Sequence, residues 1–106
     1  MLYQETREGG EVKIVVLANL FRGIEAVGGV LRITEESLAF QPHPINIQRQ
    51  PLTIPIAQIE AVWPVKTLGF VDNGMMVRLH DGKRHQFVVW NRDGLIALLQ
   101  NQLFTA

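Results

Sequence analysis

The hydrophobic positions in the last third of the chain change period once, and that change defines an architecture. From Met75 to Val89 they alternate with other residues: Met75, Val77 and Leu79, then Phe87 and Val89. Alternation places every second side chain on one face of a strand. Further on, Leu95, Ile96, Leu98, Leu99 and Leu103 recur at spacings of three and four, which gives a helix one apolar face. A β-hairpin running straight into one amphipathic helix predicts a curved sheet closed by that helix. Asp81-Gly82 is the turn signal, because glycine reaches positive φ at no steric cost. A two-residue loop would set Val77 opposite Gln86. A three-residue loop, His80-Asp81-Gly82 with Gly82 left-handed, sets Val77 opposite His85 and Met75 opposite Phe87. The second register keeps most apolar residues on one face and is preferred. Asn91 is a good N-cap for the helix (91–104), and Asp93 falls in its first turn, where the dipole favours an anion. Gly94 weakens that start by about 1 kcal/mol relative to alanine. Gln100 and Asn101 mark the polar face.

Upstream, the pattern is one of short strands. Residues 1–10 read as a polar leader, with Gly9-Gly10 as a break. Val12 to Phe21 is apolar on both faces, so it is expected to be buried on both sides or to curl across a core. Ile24 to Gly29 reads as a loop. Val30–Ile33 and Leu38–Phe40 form a second hairpin around Thr34-Glu35-Glu36-Ser37. Residues 41–51 hold three of the five prolines and read as an irregular loop, with Ile45 and Ile47 turned inward. Leu52–Ile56 is a short strand that Pro55 assigns to an edge or a bulge. Ile59–Leu68 is a strand bent at Pro64, and Gly69–Gly74 is a turn-rich loop. The total is about seven strands and one terminal helix, without βαβ alternation. The expected fold is therefore mainly β, with an antiparallel curved sheet or partly open barrel closed by the helix, in one domain spanning 1–106.

Composition narrows the function. Apolar residues make up 47% and charged residues 19%, as in a folded domain. Formal net charge is zero, which argues against a dedicated nucleic-acid binder. There is no cysteine, so disulfides and thiolate metal sites are ruled out. The first ten residues do not read as a signal peptide, and no apolar run approaches a membrane span. A cytoplasmic location, peripheral at the membrane if lipid is bound, is the expectation.

Several segments in order resemble one family. G-G-V-L-R-I-T-E-E-S-L-A-F (28–40), I-P-I-A-Q-I-E-A-V (54–62) and D-G-K-R-H-Q-F-V-V-W (81–90) resemble segments of GRAM domains, which have the pleckstrin-homology superfold. A-N-L-F-R-G-I-E-A-V-G-G (18–29), H-P-I-N-I-Q (43–48) and T-L-G-F-V-D-N-G (67–74) are similar to small bacterial stand-alone GRAM-type proteins, whose function is undefined. The resemblance covers roughly residues 12–100. It implies a pleckstrin-homology-like fold and a binding module for an anionic lipid headgroup or a protein partner. The chain departs from inositol-phosphate binders of this superfold at one place: Val30, not a basic residue, stands two before Arg32.

The candidate chemistry is sparse. Arg22 and Arg32 are read as flanking the first long hairpin loop, where their guanidiniums could take a phosphate. Ordinary surface charge, or pairing with Glu25, is the plainer reading. His43, Asn46, Gln48 and Arg49 lie in the proline-rich loop and complete the candidate binding set. The three histidines lack metal-ligand spacing, and no cofactor is implied. Ser37 is the lone serine and sits in a turn, with no base beside it, so an enzyme is not expected. Ile24, Ala26 and Val27, and likewise Phe70 and Val71, are expected to cap the open end of the barrel; insertion into a membrane or a partner is the alternative. Trp63 and Trp90 are expected in the core or at its rim. The leading expectation is a non-enzymatic binding module for a protein partner or acidic headgroup. The alternative is a homo-oligomeric self-assembly unit that uses an open sheet edge.

Overall fold

The computed structural model describes the backbone of residues 2–7, 10–46 and 49–105, and the side chains of 14–46 and 49–104. The strands are β1 (Leu2–Arg7), β2 (Gly10–Arg22), β3 (Glu25–Thr34), β4 (Ser37–Pro42), β5 (Leu52–Pro55), β6 (Ile59–Thr67), β7 (Val71–Leu79) and β8 (Arg84–Val89). One 3-10 turn (Ile56–Gln58) precedes β6, and helix α1 (Arg92–Thr105) ends the chain. All pairings are antiparallel, in the order β5-β4-β3-β2-β8-β7-β6, with β1 added to β2. Seven antiparallel strands in one curled path, closed by a C-terminal helix, are the mainly β architecture expected from the alternation, and they match the pleckstrin-homology-like fold that the resemblance implies.

The last hairpin has the register that kept its apolar residues together. Met75 opposes Phe87 and Val77 opposes His85. Gly82 takes φ 91°, and Asp81 Oδ1 accepts from the Lys83 amide at 2.9 Å. The Thr34–Ser37 turn is likewise as expected, with Thr34 Oγ1 accepting from the amides of Glu36 (3.1 Å) and Ser37 (3.0 Å).

β2 curls across the core. One edge pairs with β3 along its length, while the other serves β1 first and then β8. Val16, Ala18 and Leu20 point into the core, and Leu17 stands out on the other face. Of the stretch read as a leader, Leu2–Arg7 forms a strand. β1 occupies the stretch of β2 edge that β8 leaves open, and backbone pairing outweighs its polar composition.

Two further loops are shorter than the sequence suggested. β3 begins at Glu25, so only Gly23 and Ile24 turn the chain, with Arg22 opposite Glu25 and Gly23 at φ 64°. β7 begins at Val71, so the preceding turn is Leu68-Gly69-Phe70. The strand with Pro55 is an edge, as expected: β5 ends the strand order on one side, and β6, with Pro64, ends it on the other. In β6 a bulge at Glu60 lets Ile59 and Val62 both face inward despite their odd spacing.

The core joins both halves of the sheet to the helix. Phe40 and Phe87 meet edge to face at 6.0 Å between ring centres. Leu95, Ile96 and Leu99 cover Val62 and its neighbours, with Leu98 and Leu103 packed alongside. Polar bonds fix the angle of the helix: Gln100 donates to the Val62 carbonyl at 2.9 Å, and buried Gln102 donates to the Thr34 carbonyl at 2.8 Å. Asn91 precedes the helix at φ 57°, and its carbonyl accepts from Leu95 N–H at 3.2 Å. Its amide lies where a Cβ on Gly94 would come within 2.7 Å, so the glycine that weakens the helix makes room for the residue that starts it.

Candidate functional site

The outward positions of β2, β3 and β8 face away from the core and leave a groove of about 800 Å³. Leu17, Val30, Val88 and Trp90 supply its apolar surface. Leu17 is 62% and Trp90 69% exposed, so two large apolar side chains stand in solvent at one groove. Gly28 keeps the floor low: a Cβ there would lie 3.3 Å from Asn19 Oδ1. One wall is His43-Pro44, and the other is the start of β7 with the first turn of α1.

Each wall is held by identifiable bonds. The Gly28 carbonyl accepts from the His43 amide (2.8 Å) and from Asn46 Nδ2 (2.7 Å). Asn46 Nδ2 also reaches the His43 carbonyl at 2.9 Å. Asn46 is thus a positioning residue for His43. On the far side, Arg92 is nearly buried and donates to the Val65 carbonyl at 3.2 Å, with Asp93 Oδ1 at 3.1 Å and Asp72 Oδ1 at 3.9 Å. This arginine, unremarked in the sequence, ties the helix start to the β6–β7 hairpin.

The structure separates the other candidate residues. Arg22 donates to the Gln50 carbonyl at 2.5 Å and lies at the tip of the β2–β3 hairpin. Arg32 does not flank that turn. It opposes Val15, seven residues of strand away from Arg22, or roughly 23 Å. Arg22 also shares its side of β2 with Ala18 and Leu20, whereas Arg32 alternates with buried Leu31 and Ile33, so the two face opposite sides. They do not form one phosphate clamp. Arg49 donates to the Pro44 carbonyl at 3.4 Å. Gln48 and Ile47 lie outside the described residues. Ile45, expected inward, is exposed, because the turn that anchors Asn46 projects it outward.

The apolar loops also differ from expectation. Val27 is buried within β3, but Ile24 is fully exposed at the turn. Phe70 and Leu68 are 74% and 80% exposed and cap nothing. Leu68 stands at φ 55°, where a leucine side chain crowds its own backbone. Leu68→Gly removes that strain and loses little packing, so it is expected to raise stability by about 0.5–1 kcal/mol in urea unfolding. Destabilisation by the variant would show that the leucine makes a contact that matters. Trp63, unlike Trp90, has its ring taken up: the Arg78 and Arg84 guanidiniums lie 5.1 and 5.6 Å from its centre.

His85 is half-buried near the Arg22 end, and burial lowers its pKa below the ordinary 6.5. Nearby Lys83 and Arg22 lower it further, against Asp81. The folded chain therefore prefers the neutral imidazole. Its contribution to stability is present above the unfolded pKa and is lost as pH falls towards the lower folded value. The urea midpoint is expected to drop between about pH 7 and about pH 5, and to drop less in His85→Gln. An identical drop in the variant would assign the effect to other groups.

Among the described residues, no three His, Asp or Glu side chains cluster as metal ligands would, and no helix is long and apolar enough to cross a membrane. No family model and no curated protein matches the chain. Solved structures do. The chain is similar to the C-terminal domain of an unknown protein from Leishmania infantum, with a TM-score of 0.78 at 20% identity, over 91% of this chain and 86% of that one. At that identity the likeness establishes a shared fold.

Proposed function

We propose that this chain is a small non-enzymatic binding module, GRAM-like in kind, which takes a segment of a protein partner into the groove beside Leu17 and Trp90. The observation that carries this reading is their joint exposure at one concave site. Exposed apolar residues scattered singly need no explanation, whereas a groove that gathers them with a few polar groups is what binding sites are made of. The side-chain inventory supports a non-catalytic role, since Ser37 is engaged within its own turn, its Oγ 3.4 Å from Thr34 Oγ1. Selection from a random peptide library on the immobilised chain tests the reading. Peptides are expected to be enriched on the wild type and not on Leu17→Asp. Equal pools on both would remove the groove from the account.

A second reading, an acidic lipid headgroup, is supported by the approach of Arg22 and Lys83 to His85 at the hairpin tips. It requires salt-sensitive co-sedimentation with anionic vesicles that Arg22→Ala abolishes. The self-assembly alternative has the outer edges of β5 and β6 as its available surfaces. A monomeric mass at high protein concentration would argue against it.

A further inference from the structure

We propose that the segment taken by the groove is apolar and carries a lysine or arginine, whose cationic end meets Asp72, Asp93 and the face of Trp90. This rests on the groove reading above and specifies its ligand. The apolar part follows from Leu17, Val30 and Val88, which supply surface but no charge.

The cationic part follows from charge at the rim. Three charged residues stand where β7 and α1 meet the groove: Asp72, Arg92 and Asp93. Their exposures differ in kind. The carboxylate side chains are 64% and 83% exposed, while that of Arg92 is 12% exposed and directed to the Val65 carbonyl. Arg92 pairs with both, 3.1 Å from Asp93 Oδ1 and 3.9 Å from Asp72 Oδ1, but one mostly covered guanidinium balances only one of two charges, so the exposed rim keeps a net negative charge. The start of a helix attracts anions, but Asp93 already occupies that first turn.

Trp90 adds an independent reason. The Trp63 ring is covered by two guanidiniums of the chain itself. Among the described residues no cationic side chain lies over Trp90, which is largely exposed and lines the same groove as the two carboxylates. An uncovered indole and two carboxylates in one groove each favour a cation there.

The test is the composition of peptides enriched on the wild-type chain but not on Leu17→Asp. Lysine and arginine are expected to rise about threefold over their library frequency, next to apolar residues. On the doubly substituted Asp72→Asn, Asp93→Asn chain, the apolar preference is expected to persist and the basic preference to fall away. Both substitutions are at exposed side chains, and a matching urea midpoint verifies that the variant is folded. Enriched peptides without a basic bias, or a basic bias that survives the double substitution, would overturn the inference and leave the groove reading standing. No enrichment beyond the Leu17→Asp pool would overturn both.

Discussion

Phe87→Ala is expected to destabilise the chain by about 4 kcal/mol, within the range for emptying a fully buried aromatic site. Phe87 has no exposed surface and meets Phe40 edge to face across the core. Its position adds a second consequence. β8 joins β2 through only three residue pairs, Ala18–Val89, Asn19–Val88 and Leu20–Phe87. Phe87 thus packs at the seam that turns two halves of a sheet into one curled path. Thermal unfolding is expected to shift down by on the order of 20 °C. Phe104→Ala is the control: its ring is 90% exposed, so the change is expected to stay within about 0.5 kcal/mol. A small loss at Phe87 would mean that the seam does not depend on its ring.

Gly29→Ala is expected to cost about 3 kcal/mol, the upper end for overpacking, because backbone is what stands in the way. A Cβ there would lie 2.3 Å from the Gln41 carbonyl oxygen, 2.8 Å from the Phe40 ring and 2.9 Å from Pro42 Cα. The Gln41 and Pro42 atoms belong to the β4 backbone, which pairs with β3 at this point and cannot swing aside as a side chain can. Gly28→Ala is the matched comparison. Its nearest neighbour is the end of the Asn19 side chain at 3.3 Å, so the expected loss in urea unfolding is below about 1 kcal/mol. Equal losses at the two glycines would contradict the packing account. The same Gly28 variant also raises the groove floor, and weaker peptide capture is the corresponding expectation.

The legible and illegible parts of this protein differ physically. The last hairpin was legible because a glycine that must be left-handed and a strict alternation leave one register. The presence of the seven core strands follows from apolar runs and alternation punctuated by turn residues, and the helix from its spacings of three and four. β1 was not legible, since its strand state comes from a vacant edge of β2 rather than from its own residues. The strand over 25–29 was hidden because glycines and an exposed Ala26 resemble a loop, although buried Val27 already carried the inward alternation.

The groove was the least legible feature. It is built from the outward positions of three strands and the walls of two distant segments, and no local pattern announces such a surface. Leu17 did leave a trace, as the odd apolar residue in a run whose other face fills the core. Of the candidate set, His43 lines the groove and Asn46 braces it, while Arg22 and Arg32 are separated by the length of a hairpin. Both arginines were legible as charges, but whether they converge depended on where β3 begins.

The most direct measurement is amide and indole chemical-shift mapping of the full chain with a peptide taken from the library selection. Shifts are expected to concentrate at Leu17, Asn19, Val30 and the Trp90 indole. Shifts concentrated instead at Arg22, Lys83 and His85 would contradict the groove reading and assign binding to the hairpin tips.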